Sequence, residues 1–265
     1  MKRLSPLSLL AGLLLAGGSA QAGPILLNTE TYSQDFSSFG TSGTQTLPEG
    51  WTHGNSNSAS TGFNMALGAG TSANTSNGTS TNGVYNISTN NNPDRALASM
   101  SGGNAFKTID VAFTNGLGSD ISGFELSYDA ELYYIRPSTA SDARTMYIST
   151  TGATGSWTAL PADFNVSLTV TPPAATVAQD GNLPANKQTI SASYNFATPI
   201  QPGQSFYLRW WDVDGLQSTG TPGANGSTNM LIGIDNVDLT VTQVPEPASI
   251  GLIGLGSLAL LRRRR

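Results

Sequence analysis

Three carboxylates in one stretch of alternating apolar and polar residues have the types and spacing that most resemble a catalytic pair. Glu125, Asp129 and Glu131 share one face of the strand predicted over 124–134, where residues two apart lie about 6.6 Å apart. Paired acid and base carboxylates of glycoside hydrolysis use a similar separation. Ser127, however, stands where a Glu-x-Asp-x-Glu pattern would place its nucleophile. The sequence therefore predicts no catalytic residue, and a solvated strand face is the simpler interpretation.

The histidine and cysteine content narrows the possible chemistry further. His53 is the only histidine, and cysteine is absent, so a thiol nucleophile, a thiolate metal site and disulfides are excluded. A Ser/His/Asp hydrolase would have to use His53, yet no nucleophile elbow lies near it. We expect His53 to be a surface residue and the chain to be non-enzymatic.

Acidic residues near the predicted first and last strands could hold a metal. Asp212, Asp214 and Asp235 lie at or near the ends of the last strands, and Glu30 and Asp35 lie near the first. First and last strands of an antiparallel sandwich are often neighbours, and calcium accepts carboxylate and carbonyl oxygens. A structural calcium is therefore one interpretation, and turn-capping aspartates are the other. No other cofactor is predicted.

The aromatic residues near the C-terminal third offer a possible sugar-stacking surface. By alternation, Trp210 shares the core face with Phe206 and Leu208, which leaves Trp211 and Tyr207 on the opposite face. In a two-layer sandwich that face would be exposed. Trp211, with Arg209 beside it, is the predicted carbohydrate-binding pair, and packing aromatics are the alternative.

Period-2 alternation of apolar residues supplies the elements that would position these side chains. Besides 124–134 it occurs at 109–113, 164–170, 190–196 and 206–210, and no helical period competes with it. Met230, Ile232 and Ile234 share one parity, whereas Val237, Leu239 and Val241 share the other. We therefore predict a β-bulge or bend at Asp235–Asn236. The strands predict an all-β, antiparallel β-sandwich over residues 23–243.

Residues 54–92 form a long tract rich in Ser, Thr, Asn and Gly. Such a composition buries little apolar area. We expect a long loop or irregular excursion, with room for a few edge-strand residues inside it.

The N-terminus has the pattern of a secretory signal peptide over residues 1–22. Lys2 and Arg3 precede a short apolar run, and the pattern ends in Ala20-Gln21-Ala22, a typical cleavage motif. We expect export through the Sec translocon and a mature chain that starts at Gly23.

The C-terminus combines three features in order. Val244-Pro245-Glu246-Pro247 precedes an apolar stretch over 248–261, and the chain ends in Arg262, Arg263, Arg264 and Arg265. As a helix the stretch is about 21 Å long, which is short of a bilayer core of about 30 Å, and the arginines would remain cytoplasmic. A short transmembrane helix of this kind fits a temporary anchor.

These residues, 244–265, resemble the PEP-CTERM sorting signal. The resemblance implies recognition by exosortase and cleavage at or near the tripeptide, in a bacterium that produces exopolysaccharide. The expected location is an inner-membrane intermediate followed by the cell surface or extracellular matrix.

A second resemblance covers most of 35–241. The chain is similar to a secreted bacterial jelly-roll domain in five motifs: Leu47-Pro48-Glu49-Gly50-Trp51, Arg95-Ala96-Leu97, Gln179-Asp180-Gly181-Asn182, the run 208–214 and Ile234-Asp235-Asn236-Val237. The resemblance implies a jelly-roll-like sandwich without a catalytic set.

The net charge of -5 and the 11% of charged residues argue against nucleic acid as a partner, because its phosphates attract basic patches. Three hypotheses follow. The first is a non-enzymatic surface or matrix protein associated with exopolysaccharide or biofilm. The others are a carbohydrate-binding module and, third, a polysaccharide-active enzyme.

Overall fold

Alternating side chains build two stacked β-sheets, as predicted. The computed structural model describes residues 23–56, 64–76, 83–102, 106–137, 139–212, 216–217 and 229–244. Nearly all regular structure in these ranges is strand, with two one-turn 3-10 helices at Ala162–Phe164 and Pro184–Asn186.

The first sheet, sheet A, has the order β1-β8-β15-β10-β11, with β4 also paired to β8 and with β12 and β16 also paired to β10. All its pairs are antiparallel except β1 with β8. Its strands are β1 (Ile25–Leu27), β4 (Trp51–Ser56), β8 (Phe106–Asn115), β10 (Thr139–Ser149), β11 (Thr158–Ala159), β12 (Val166–Thr169), β15 (Ser205–Asp212) and β16 (Leu216–Gln217).

The second sheet, sheet B, has the order β13-β9-β17-β7-β6-β5-β3, with β14 also paired to β9 and β2 to β17. Its one parallel pair is β5 with β6. Its strands are β2 (Thr31–Gln34), β3 (Thr44–Thr46), β5 (Ser72–Ser76), β6 (Gly83–Ile87), β7 (Ala96–Met100), β9 (Ile121–Ile135), β13 (Val177–Ala178), β14 (Lys187–Ile200) and β17 (Met230–Gln243). The pairing of β2 with β17 makes the first part of the sandwich a neighbour of its last strand.

The core lies between the sheets and is rich in aromatic rings. Trp51 stacks on Trp210 at 5.7 Å between ring centroids, and Phe206 stacks on both Phe113 at 5.2 Å and Phe124 at 5.9 Å. Each of these side chains is at most 2% exposed. Such stacks add roughly 0.5–1.5 kcal/mol each to the free energy of area burial. The inward parity predicted for Phe206, Leu208 and Trp210 is confirmed.

The predicted bend at Asp235–Asn236 is also confirmed. Asp235 pairs with Asp129, whereas the next paired residue of β17 is Asp238, which faces Ser127. Asn236 has a φ of 48°, a left-handed conformation that Asn tolerates better than most residues. Its amide donates to Asp129 Oδ2 at 2.9 Å. The extra residue reverses the parity of the side chains that follow.

The polar tract 54–92 is more ordered than its composition predicts. It contributes β5 and β6 to sheet B, and Asn86 and Ser88 are buried. The fully buried guanidinium of Arg95 donates to Ser88 Oγ at 2.7 Å and to the Asn86 carbonyl at 3.1 Å. The expectation of a largely irregular loop is therefore wrong for this part, because hydrogen bonds to Arg95 add to the burial of Ala73, Val84 and Ile87.

Both predicted targeting segments fall largely outside the described residues. The signal peptide, 1–22, lies before them, and the sorting signal lies after them apart from Val244. Across the described ranges, no helix is long and apolar enough to cross a membrane.

Candidate functional site

Trp211 and Arg209, the predicted carbohydrate-binding pair, are not on an open surface. Trp211 is 1% exposed and Arg209 is 0% exposed. The indole of Trp211 packs against Phe106, with 5.6 Å between ring centroids. The prediction that they form an exposed stacking surface is wrong, because the outer face of sheet A is covered at these two residues.

The cover over Arg209 is the segment 64–68, which docks through its backbone. The Arg209 guanidinium donates to the carbonyl oxygens of Met65 at 2.9 Å and Ala66 at 3.0 Å. It also donates to both carboxylate oxygens of Asp110, at 2.7 and 2.9 Å. Asp110 in turn accepts the Gly68 N–H at 2.9 Å. The Arg209–Asp110 pair is thus a buried clamp that holds this segment on the sheet.

Asp212 and Asp235, two of the three predicted calcium ligands, lie on different sheets. Asp212 Oδ1 lies 2.9 Å from the Arg144 guanidinium, which also contacts Asp142 at 3.2 Å. Burial raises the pKa of Asp142 to about 7. Asp214 lies outside the described residues. Within the described ranges, no group of three or more His, Cys, Asp or Glu could hold a metal, so the calcium site stays a prediction.

The predicted solvated carboxylate face of β9 is also wrong for Glu131, which is 0% exposed. Its carboxylate accepts the Tyr133 hydroxyl at 2.6 Å and lies 2.7 Å from Lys187 Nζ. Burial raises the pKa of Glu131, against the lowering effect of those two partners. Gly181 packs on the Tyr133 ring, and Asn182 accepts from its hydroxyl at 3.2 Å. Glu131 therefore has no access to a polymer substrate.

Asp235 is the least compensated of these buried acids. Its side chain is 0% exposed, and neither carboxyl oxygen has a hydrogen-bond partner. The Asn236 N–H acts in the opposite direction and favours the charged form, although it does not meet the geometry of a hydrogen bond to this carboxylate. Burial, together with the neighbouring Glu131 charge, raises the pKa of Asp235 to about 8. Near neutral pH this carboxyl is therefore largely protonated.

His53 is partly buried rather than fully on the surface. Its Nε2 lies 2.9 Å from the Ser72 carbonyl oxygen, and burial lowers its pKa. With Ser72, Asn74 and Tyr85 it lines a pocket of about 320 Å³. The contact with Ser72 is made by its backbone carbonyl oxygen and not by its hydroxyl, so it is not the nucleophile–base pair of a hydrolase.

A cleft beside Tyr207, at one end of the sandwich, has the features of a ligand site. It has a volume of about 490 Å³, within the roughly 300–1,000 Å³ typical of small-ligand sites. Tyr207 is partly exposed and lies on the outer face of sheet A. The cleft is lined by Thr150, Thr151, Thr198, Pro199, Ile200, Gln204, Ser205 and Tyr207.

Two tight turns fix the cleft walls. Pro202 and Gly203, with a φ of 81° at Gly203, close a turn in which the Gln204 N–H donates to the Gln201 carbonyl at 2.9 Å. On the other wall, Ser149 Oγ accepts the Gly152 N–H at 2.9 Å. A Cβ at Gly152 would lie 3.3 Å from the Tyr207 ring. Both turns use the conformational freedom of glycine to bring backbone to the cleft.

The cleft presents an aromatic ring, hydroxyls and an amide, and none of its lining residues is charged. This set can stack on an apolar ligand face and exchange hydrogen bonds with neutral polar groups. Sequence parity had placed Tyr207 on the same face as Trp211. No signal in the sequence distinguished the covered ring from the accessible one.

Comparison with solved structures finds distant likenesses, of which three follow. A xylan-binding module, CBM15, is 11% identical, with a TM-score of 0.37 over 76% of this chain and 97% of that chain. CBM28, a non-crystalline cellulose specific carbohydrate-binding module, is 13% identical, with a TM-score of 0.31 over 58% and 78%. The CBM22-1-GH10 modules of Clostridium thermocellum xylanase 10B are 10% identical, with a TM-score of 0.28 over 79% and 28%. Scores this low carry no argument about the ligand.

Comparison of sequences gives a sharper result at the C-terminus. No curated protein matches the chain. Residues 243–265 match the PEP-CTERM protein-sorting motif, which confirms the resemblance of that segment; a motif of this kind indicates export and processing by exosortase.

Proposed function

We propose that this is a non-enzymatic surface or matrix protein whose sandwich binds a neutral polysaccharide in the Tyr207 cleft. The observation that carries the proposal is the cleft itself, an aromatic ring among uncharged hydroxyl and amide groups. A neutral sugar offers complementary hydroxyls and an apolar ring face. The sorting motif supplies the setting, because exported copies would reach the exopolysaccharide outside the cell.

The end of the folded domain suits removal of the tail. Strand β17 ends at Gln243, and the Val244 N–H still donates to the Asp120 carbonyl at 2.8 Å. Pro245 follows directly, so a cut at or near the tripeptide leaves every described strand intact. In this proposal the stretch 248–261 anchors the chain in the inner membrane until exosortase cuts it.

We expect cells that lack exosortase to accumulate a chain that keeps residues 248–265. The processed chain of normal cells should lack these residues, because cleavage precedes the apolar stretch. Intact-mass measurement of the membrane and extracellular fractions tests this. A chain truncated after Val244 serves as the control and should have the same mass in both strains. Identical full-length products in both strains would contradict the sorting mechanism.

We expect Tyr207→Ala to weaken binding to the host's own exopolysaccharide at least tenfold, or about 1.4 kcal/mol, because it removes the only aromatic ring among the cleft residues. Tyr207→Phe keeps the ring and should stay within about threefold. Affinity electrophoresis of the exported protein measures the change.

Tyr147→Ala is the matched control, since Tyr147 lies on the same sheet face, opposite Arg209, and does not line the cleft. If Tyr147→Ala weakened polysaccharide binding as much as Tyr207→Ala does, the cause would be general destabilisation of the fold. Unchanged binding by Tyr207→Ala would place the ligand elsewhere.

A further inference from the structure

Strand β14 leaves one long edge of sheet B without a ladder partner. It runs over Lys187–Ile200 and pairs on one side with β9. In the described part of the chain, no strand pairs with its other side. From Lys187 to Asn195 the register with β9 is unbroken, and an irregularity follows before Ile200. The regular part therefore presents an unbroken row of backbone donors and acceptors.

This edge lacks the features that usually prevent strand pairing. Natural edges carry charges, prolines or bulges that block a second strand. Between Gln188 and Ile200 there is no charged residue. Lys187 stands at one end and Pro199 at the other, outside the regular part. The outward side chains of Thr189, Ser191, Ser193 and Asn195 are small or polar, and all are exposed.

The apolar core is incompletely covered along the same side. The 3-10 helix Ala162–Phe164 packs against β14 and leads directly into β12, so β12 and β14 flank this side. Eight apolar residues are only partly buried against the main core, and five of them lie here. These five are Leu168, Val170, Ala192, Tyr194 and Phe196. A second element along β14 would remove their remaining surface from water.

We propose that β14 pairs antiparallel with β14 of a second copy of this chain about a two-fold axis. A self-pairing strand must face its own sequence, and like charges opposite each other are unfavourable. The uncharged run meets this condition. An axis at Ala192 would place Ser191 opposite Ser193 and Ile190 opposite Tyr194, with polar residues together on one face and apolar residues on the other. This interface is independent of the Tyr207 cleft.

The size of the contact fits a reversible dimer. The seven residues from Thr189 to Asn195 give a ladder about 23 Å long, at roughly 3.3 Å per residue. With a two-layer thickness of about 20 Å, the strip buries roughly 500 Å² per copy, near the total of about 1,000 Å² that a specific interface needs. Sorting of all copies to one surface would raise their local concentration and favour the dimer.

The first test adds charge at the edge. In sedimentation equilibrium of the exported protein, Ser191→Lys combined with Ser193→Lys should raise the dimer dissociation constant at least tenfold, because it places four ammonium groups around the axis. Thr240→Lys with Thr242→Lys adds the same charge to exposed positions of β17, an interior strand, and should change the constant less than twofold. A monomer at every concentration, or a dimer insensitive to the β14 lysines, would overturn the proposal.

The absence of cysteine allows a second test by single-cysteine variants and a short bis-maleimide cross-linker. Cross-linking at Thr189, Ser191, Ser193 and Asn195 should peak at the positions next to the axis and fall at least tenfold at the ends. Equal cross-linking at all four positions would indicate parallel, in-register stacking, and cross-linking at none would indicate another occupant. Either result contradicts the antiparallel dimer.

Discussion

Asp235→Asn is expected to stabilise the protein by about 2–4 kcal/mol at pH 8 and to have almost no effect at pH 4. Asp235 is fully buried, and its carboxyl oxygens have no hydrogen-bond partner. Asparagine has the shape of the protonated acid and never ionises. The substitution therefore removes the cost of a buried charge and keeps the packing.

The pH dependence of this stabilisation follows from the raised pKa of Asp235. Burial, with the Glu131 charge nearby, raises the pKa of Asp235 to about 8 from the ordinary value of 3.8. The unfolded chain thus releases this proton near pH 4, whereas the folded chain keeps it until about pH 8. Stability falls as the pH rises between these values and is level above them. Four pKa units correspond to roughly 5 kcal/mol, and local relaxation reduces the observed gain to the stated range.

Urea unfolding of the exported protein and its variant between pH 4 and pH 9 measures this difference. Asp238→Asn is the matched control, because Asp238 lies on the same strand and is exposed, and it should change stability by less than about 0.5 kcal/mol. A gain that is the same at every pH, or a loss at pH 8, would show that Asp235 is charged and compensated in the folded state.

The inner layer of this fold follows from its sequence. Alternation in β15 places Phe206, Leu208 and Trp210 in the core, because one face of each sheet must be buried and the side-chain period of a strand is two. The same parity argument located the bulge at Asp235–Asn236. These results depend only on neighbouring residues along one strand.

The outer faces could not be predicted in this way. Trp211 and Tyr207 have the same parity, and only Tyr207 remains accessible. The segment that covers Arg209 docks through the carbonyl groups of Met65 and Ala66, and every residue has a carbonyl group. The composition of a segment indicates how much apolar area it can bury. It does not reveal that a segment docks through backbone hydrogen bonds to a buried charged side chain.

The same cover leads to the largest expected loss of stability. Arg209→Met should lower the free energy of unfolding by about 3–5 kcal/mol, because it leaves Asp110 buried without its cation. It also removes the donors to the Met65 and Ala66 carbonyls and the guanidinium that lies 3.7 Å from the centre of the Trp157 ring. Arg209→Lys keeps the charge but loses the two-pronged geometry, so its loss should be intermediate.

A double-mutant cycle separates the clamp from simple packing. The stability loss of the double variant Arg209→Met with Asp110→Leu should be smaller than the sum of the two single losses by about 2 kcal/mol. Each single change leaves one buried charged group, the carboxylate or the guanidinium, without its partner. Urea unfolding at pH 7 measures the cycle.

Limited proteolysis tests whether Arg209 holds the segment 64–68 on sheet A. Cleavage between residues 64 and 68 should be faster in Arg209→Met than in the unchanged protein, because the Met65 and Ala66 carbonyls lose their donors. Only the hydrogen bond from the Gly68 N–H to Asp110 is then kept from this set. If the stability losses of the two single variants are additive and the rate of proteolysis is unchanged, the segment stays on sheet A without the ion pair. Its docking would then depend on the Trp157 indole, which donates to the Met65 carbonyl at 2.8 Å.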